Sequence, residues 1–334
     1  MTSLVTGASG FLGGHVVEEL YRRGEDVVVF ARKTSDLSAV KHLPIEVRYG
    51  ELRDADSMKG IMNDVDMVFN CAGSVRFHQS YDKIHDINVA GTERIVAAAA
   101  DAEVDKVVHT SSMAALGPDG AVDSDSVKTD RPDIKNVYSR TKTEAEAVFF
   151  KKCAERGIKG TALRPGVIYG PRDMTAAYYW FNIIDNGEGM IVGDGKTRFP
   201  LIYVDDVVEA FMKAADRDNA VGRTYNIDGP ERGRIRRIYD LISNELGRES
   251  KYRSVSYRSA MFAARMNEFK SALGGYKNEP RYSTFVIFLF GKDHGELDCS
   301  NAVADLGFQS RIGLDEGIKR TAIWYKTLDT NSKT

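Results

Sequence analysis

The stretch from Leu4 to Gly13 constrains this chain more than any other. A short apolar strand, Leu4-Val5-Thr6, runs into Gly7, Gly10 and Gly13, three glycines spaced by three. An amphipathic segment follows, with Leu12, Val16, Val17 and Leu20 on one helical face. Gly7 allows a sharp turn off the strand, Gly10 lets the backbone approach a pyrophosphate, and Gly13 lets the helix pack close to the sheet. A helix starting here points its N–H groups and its dipole at the phosphates. A second strand arrives on time, from Val27 to Phe30. The pattern therefore predicts the first βαβ unit of a Rossmann-type, doubly wound parallel α/β sheet, and not an ordinary glycine-rich turn. Ser9, Phe11 and Leu12 join the three glycines as expected cofactor contacts.

A length of 334 residues suits one nucleotide-binding domain with a smaller C-terminal partner. An apolar content of 43% permits a full core, and a net charge of −2 argues against a nucleic-acid surface. Cys71, Cys153 and Cys299 are odd in number and lack metal or redox spacing, so they read as free thiols in a reducing compartment. The first strand begins too near Met1 to leave room for a signal peptide, and the expected location is cytoplasmic. No metal site is expected. The apolar run Phe285–Phe290 is too short to span a membrane. It reads either as a buried strand or as part of an apolar substrate pocket.

Chemistry-bearing segments follow in a fixed order. The second strand ends at Arg32-Lys33-Thr34-Ser35, where an NAD-selective site places an acid for the ribose hydroxyl. Arg32 and Lys33 suit a 2′-phosphate instead, which favours NADP, with NAD the alternative. Gly50-Glu51-Leu52-Arg53-Asp54 follows the third strand, and the small residues Cys71-Ala72-Gly73 end the fourth, leaving space for a cofactor. Then come Asn88-Val89-Ala90-Gly91-Thr92, the strand end Thr110-Ser111-Ser112, and Tyr138-Ser139-Arg140-Thr141-Lys142. Tyr138 and Lys142 are four apart and share one helix face. Arg164-Pro165-Gly166-Val167 leads on to Tyr169-Gly170-Pro171, and Val204-Asp205-Asp206 comes later.

The glycine spacing and this order resemble the short-chain dehydrogenase/reductase superfamily, in particular its extended, NAD-dependent epimerase/dehydratase-like branch. The resemblance implies Ser112 as the serine that holds the reacting oxygen, with Ser111 as the alternative. It implies Tyr138 as acid/base, and Lys142 as the group that, with the positively charged nicotinamide of the oxidised cofactor, lowers the phenol pKa and that grips the nicotinamide ribose. Asn88 would support the site, and Pro165 and Val167 would lie beside the nicotinamide. Asp54 would approach the adenine with Leu52 against the ring; the competing role for Asp54 is to cap the helix holding Met58 and Ile61. The expected domains are residues 1–165, with 203–226 returning to them, for the dinucleotide, and 166–202 with 227–334 for the substrate. A homodimer paired through the Asn88 and Tyr138 helices is implied as well.

The substrate is less constrained. Aromatic and apolar C-terminal segments suit a small lipophilic alcohol or ketone, as in the 3β-hydroxysteroid dehydrogenase and dihydroflavonol reductase-like members. These segments include the aromatic helix 175–185 and a helix over 258–273 with apolar positions Met261, Phe262, Ala264 and Phe269. The alternative is a nucleotide-sugar epimerase or dehydratase with tightly held NAD. Lys196-Thr197-Arg198-Phe199 partly matches a pyrophosphate site, whereas Pro280-Arg281 does not complete one. A third reading, a non-catalytic NADP-sensing module, is opposed by the intact Ser112, Tyr138 and Lys142 set. Two polar loops, Ser74–Tyr81 with Arg76, Phe77 and His78, and Pro118–Asn136, are expected to border the site.

Overall fold

A computed structural model describes residues 1–75, 79–116, 136–275, 283–294 and 296–328. Arg76, Phe77, His78, most of the Pro118–Asn136 loop and Pro280-Arg281 lie outside the described residues. In chain order the elements are β1 (Thr2–Thr6), α1 (Phe11–Arg22), β2 (Asp26–Ala31), β3 (Glu46–Tyr49), β4 (Met67–Asn70), α2 (Tyr81–His85), a π-helical turn (Asp86–Ala90) and α3 (Gly91–Asp101). There follow β5 (Lys106–Thr110), α4 (Val137–Arg156), β6 (Lys159–Pro165), β7 (Val167–Tyr169), α5 (Ala176–Asp185), β8 (Gly189–Val192), β9 (Arg198–Phe199), β10 (Leu201–Tyr203) and α6 (Val204–Asp216). The chain ends with β11 (Thr224–Ile227), β12 (Gly233–Arg234), α7 (Ile235–Leu246), β13 (Tyr252–Val255), α8 (Tyr257–Leu273), α9 (Thr284–Gly291), α10 (Ser300–Leu306) and α11 (Leu314–Thr327).

Two compact units result. The first comprises Met1–Pro165, Val207–Ile227 and Leu297–Gln309. Its seven strands form a parallel sheet in the order β11-β6-β5-β4-β1-β2-β3. The strands read as near-continuous apolar runs because helices cover both faces, and Leu4, Val5, Val29, Val68, Phe69, Val107 and Val108 are buried. The face expected of α1, with Leu12, Val16, Val17 and Leu20, is buried as well. The direction of winding changes between β1 and β4, which is where doubly wound sheets bind ligands beyond their carboxyl ends. A buried cation closes the far side. Lys106 donates to the carbonyls of Ala214 (2.6 Å), Ala215 (3.1 Å) and Arg217 (2.6 Å), at the end of α6 where the helix dipole favours positive charge. The stretch Leu297–Gln309, which the sequence reading grouped with the second domain, is tied to this unit. Asp305 accepts from Arg223 at 2.9 Å and from Tyr225 at 3.1 Å.

The second unit comprises Gly166–Asp206, Asp228–Glu296 and Ser310–Thr334. Its strands pair two by two: β7 with β10, β8 with β13, and β9 with β12. Trp180 and Phe181 of the aromatic helix α5 are core residues, with Phe181 5.1 Å from the Tyr325 ring and Trp180 6.0 Å from Phe290. The Phe285–Phe290 run is not a strand; it forms most of α9. Such a run carries no period, so neighbours decide its state. Here Ser283 caps the helix by accepting from the Val286 N–H at 3.0 Å, and Glu268 of α8 accepts from the Thr284 N–H at 2.7 Å. The helix over 258–273 forms as expected, but Phe262 and Phe269 are exposed; Ala260 and Ala264 make its buried side.

Candidate active site

β1 ends at Gly7, which has φ +72°; a Cβ there would also lie 2.8 Å from the Ala72 nitrogen. The strand thus turns directly against the end of β4. A Cβ on Gly13 would stand 2.3 Å from the Gly7 carbonyl oxygen, so α1 can lie this close only with glycine. Gly10 precedes α1 and gives it no side-chain cap, and no acid stands in the first turn. The helix therefore offers its N-terminal N–H groups and positive dipole end without a competing carboxylate. Ser9 is exposed beside this turn, Phe11 is half-buried and Leu12 is buried. Arg32 and Lys33 are exposed just past β2, whose Phe30 is in register with Thr6. Leu52 lies against Gly91, where a Cβ would meet it at 2.7 Å. Asp54 is exposed and accepts from the Asp56 N–H at 3.1 Å, capping a single 3-10 turn, Asp56–Met58, that stops short of Ile61.

The ends of β1, β4 and β5 are joined by a buried polar chain that sequence reasoning missed. Thr6 Oγ1 accepts from the Ala72 N–H (3.0 Å) and donates to Asn70 Oδ1 (2.8 Å). Asn70 Nδ2 in turn donates to His109 Nδ1 at 3.0 Å. The imidazole proton then falls on Nε2. Burial holds the His109 pKa well below its ordinary value, and the neutral ring stacks on Phe149 at 4.9 Å. The signal was a polar residue at the end of each apolar strand, visible only once the strands were aligned.

Asn88 sits in the π-helical turn, a distortion that frequently marks functional sites. Its Oδ1 accepts from the Ser74 N–H (2.7 Å), while Nδ2 donates to the Ser74 carbonyl (3.1 Å) and to Thr141 Oγ1 (3.2 Å). Asn88 thus clamps the segment after β4 to α4. A Cβ on Gly73 would lie 3.4 Å from Asn88 Oδ1 and 3.5 Å from Lys142 Nζ, so these three residues converge.

α4 begins at Asn136, whose side chain accepts from the Ser139 N–H at 3.0 Å. Tyr138, Lys142 and Glu146 occupy successive turns of one face, and all three are buried. The Tyr138 phenol hydrogen-bonds Ser112; burial raises its pKa and Ser112 draws it back. Lys142 Nζ donates to the Thr110 carbonyl at 3.0 Å. Burial lowers its pKa to about 8, opposed by Cys71 and Glu146, and burial pushes the Cys71 thiol up to about 12. For the Tyr138 phenol, burial is the larger influence and Ser112 the opposing one. The neighbouring serines divide. Ser112 faces Tyr138, whereas Ser111 Oγ donates to Glu146 Oε2 at 2.5 Å. Glu146 also accepts from Arg164, through Nε at 2.8 Å and through a second, shorter contact. This fully buried ion pair was missed too, because Arg164 was read only as part of the Arg164-Pro165-Gly166 motif and Glu146 belonged to no motif. Pro165 ends β6 in the first unit, and Val167 opens β7 in the second.

Within the second unit, Tyr179, Trp180, Met190, Ile235, Tyr239 and Phe290 line an apolar cleft. Lys196 and Arg198 of the partial pyrophosphate match lie 3.9 Å from Asp194 and 3.8 Å from Asp293, respectively. Among the described residues no cluster of His, Cys, Asp or Glu is arranged to hold a metal ion, and no helix is long and apolar enough to cross a membrane.

The model of the NAD dependent epimerase/dehydratase family matches residues 3–228. The chain belongs to this family. With dehydrogenase and reductase relatives along nearly its whole length, this family member is an NAD(P)-dependent oxidoreductase of the extended short-chain type. It is 34% identical over 233 residues to sterol demethylase protein B of Methylococcus capsulatus, covering 69% of this chain and 70% of the relative. It is 26% identical over 337 residues to the human sterol-4-alpha-carboxylate 3-dehydrogenase, decarboxylating, covering 97% and 88%. The fold is shared with a UDP-glucuronic acid 4-epimerase of Bacillus cereus, solved with UDP-glucuronic acid and NAD. That match has a TM-score of 0.77 at 20% identity and covers 98% of this chain and 99% of the other.

Proposed function

We propose that the chain interconverts a secondary alcohol and a ketone on a small lipophilic, sterol-like substrate, using NADP(H), with Tyr138 as acid/base. The observation that carries this reading is the contact of Ser112 with a buried Tyr138, one helical turn before Lys142, at the carboxyl end of the sheet. Sterol-named relatives support the substrate class.

The glycine turn fits a dinucleotide: Gly7 and Gly13 leave no room for a Cβ, and the first turn of α1 is uncapped and free of acids. Gly7, Ser9, Gly10, Phe11, Leu12 and Gly13 would hold the pyrophosphate, and Arg32 with Lys33 the 2′-phosphate. Leu52 and Asp54 would border the adenine. Cys71, Ala72, Gly73 and Pro165 would wall the nicotinamide. The cofactor, when bound, supplies or accepts the hydride. In the reducing direction the protonated phenol of Tyr138 delivers its proton to the carbonyl oxygen, which Ser112 holds by a hydrogen bond. In the oxidising direction the phenolate takes that proton back. Lys142, whose pKa burial lowers to about 8, would as an ammonium favour the phenolate. Asn88 keeps the segment after β4 and the α4 helix in register around these groups.

The epimerase reading is less favoured because Lys196 and Arg198 stand beside acids of their own unit. Denaturing the purified protein and identifying the released nucleotide separates the two. Exchangeable NADP(H) supports the dehydrogenase. Near-stoichiometric, tightly held NAD would overturn it in favour of an epimerase, which regenerates its cofactor in every turnover.

A further inference from the structure

α8 presents two opposite faces. Ala260 and Ala264 are buried against Val192 and Ile287. On the other side Phe262, Met266, Phe269 and Leu273 are 69%, 42%, 60% and 74% exposed. At about 100° per residue these four fall within an arc of about 60°. Four large apolar side chains in one exposed stripe exceed the scattered apolar exposure that is ordinary for a protein surface. The stripe is bordered by cations: Arg258 and Arg265 along one edge and Lys270 along the other, all exposed. The single acid of this helix, Glu268, is turned away, engaged with Thr284 of α9 at 2.7 and 2.9 Å. The outward half of α8 therefore carries three positive charges, four large apolar groups and no negative charge.

From this pattern we propose that the outward face of α8 docks on an anionic lipid surface. A second copy of the chain is disfavoured as the occupant, because across a self-complementary contact the cations Arg258, Arg265 and Lys270 of one copy meet a face with no acid to pair with them. An anionic bilayer satisfies both features at once. The four apolar side chains enter below the headgroups, while the long basic side chains lie along the interface and reach the phosphates. The inference concerns attachment and stands whatever the catalytic reading.

The test is flotation of the full chain with vesicles of phosphatidylcholine, with or without phosphatidylglycerol. The expected result is flotation with the anionic vesicles, little with the neutral ones, and loss at about 0.5 M salt. Phe262→Ser with Phe269→Ser, and separately Arg258→Glu with Arg265→Glu, should each lower the bound fraction on the order of tenfold. All four positions are exposed, so an unchanged thermal melt will show that the variants are folded. Lys59→Glu, an exposed charge in the first unit, should leave flotation unchanged. The proposal is overturned if the anionic vesicles do not carry the protein, or if flotation survives both double variants. It is also overturned if vesicles do not bind and the phenylalanine variant instead dissolves a dimer or releases an acidic protein partner.

Discussion

Removing Glu146 alone should be among the costliest single changes in this protein. Glu146 and Arg164 are 1% and 2% exposed, and Ser111 donates to the same carboxylate. In Glu146→Ala the Arg164 guanidinium keeps its charge, stays in the interior and loses its partner. Breaking a buried pair in this way costs about 3–5 kcal/mol. The Ser111 hydroxyl left without an acceptor adds about 1 kcal/mol. Against a usual total of about 5–15 kcal/mol, that consumes a large part of the stability. Removing both charges is a different matter: Glu146→Leu with Arg164→Met leaves no unpaired ion and should recover most of the loss. Urea unfolding of the wild type, each single variant and the double, followed by circular dichroism, gives the coupling directly. A loss under about 1 kcal/mol for Glu146→Ala, or a double variant as unstable as the sum of the singles, would refute the reasoning.

Three further outcomes are expected. The Lys142 ammonium has a folded pKa of about 8 against an ordinary 10.5, so between those values the unfolded chain binds more protons and stability rises with pH. Lys142→Met should therefore gain up to about 3 kcal/mol near pH 7, a gain that fades by about pH 10; urea melts in a pH series check it, and a constant difference contradicts it. Gly13→Ala places a Cβ 2.3 Å from the Gly7 carbonyl oxygen and should cost about 1–3 kcal/mol along with cofactor affinity, which a wild-type melting temperature would disprove. Arg32→Glu should raise the NADPH dissociation constant roughly 10- to 100-fold and leave NADH equal or tighter, read by fluorescence titration; an unchanged preference removes Arg32 from the site.

The sheet was legible because its strands are short apolar runs separated by amphipathic helices, and the Gly7–Gly13 turn anchors their order. The family followed from motif spacing. Less visible was what tertiary contact decides. Phe285–Phe290 has no period, so only the Ser283 cap and Glu268 make it a helix. Met261 and Ala264 gave α8 a helical spacing, but spacing does not say which side faces solvent, and Phe262 and Phe269 turned out exposed. Glu146 looked like an ordinary helix carboxylate until Arg164 was brought beside it from β6. The choice between Ser111 and Ser112 likewise rested on direction: adjacent residues at a strand end point to opposite sides, one toward Glu146 and one toward Tyr138.

The most direct test of the account is NADPH-dependent reduction of a 3-ketosteroid by the wild type and by Tyr138→Phe, with NADPH affinity measured in parallel. Loss of the phenolic proton should lower turnover by about 10²- to 10⁴-fold while the NADPH dissociation constant stays the same. A Tyr138→Phe protein that turns over within a few-fold of the wild type would contradict the assignment of Tyr138 and the oxidoreductase mechanism built on it.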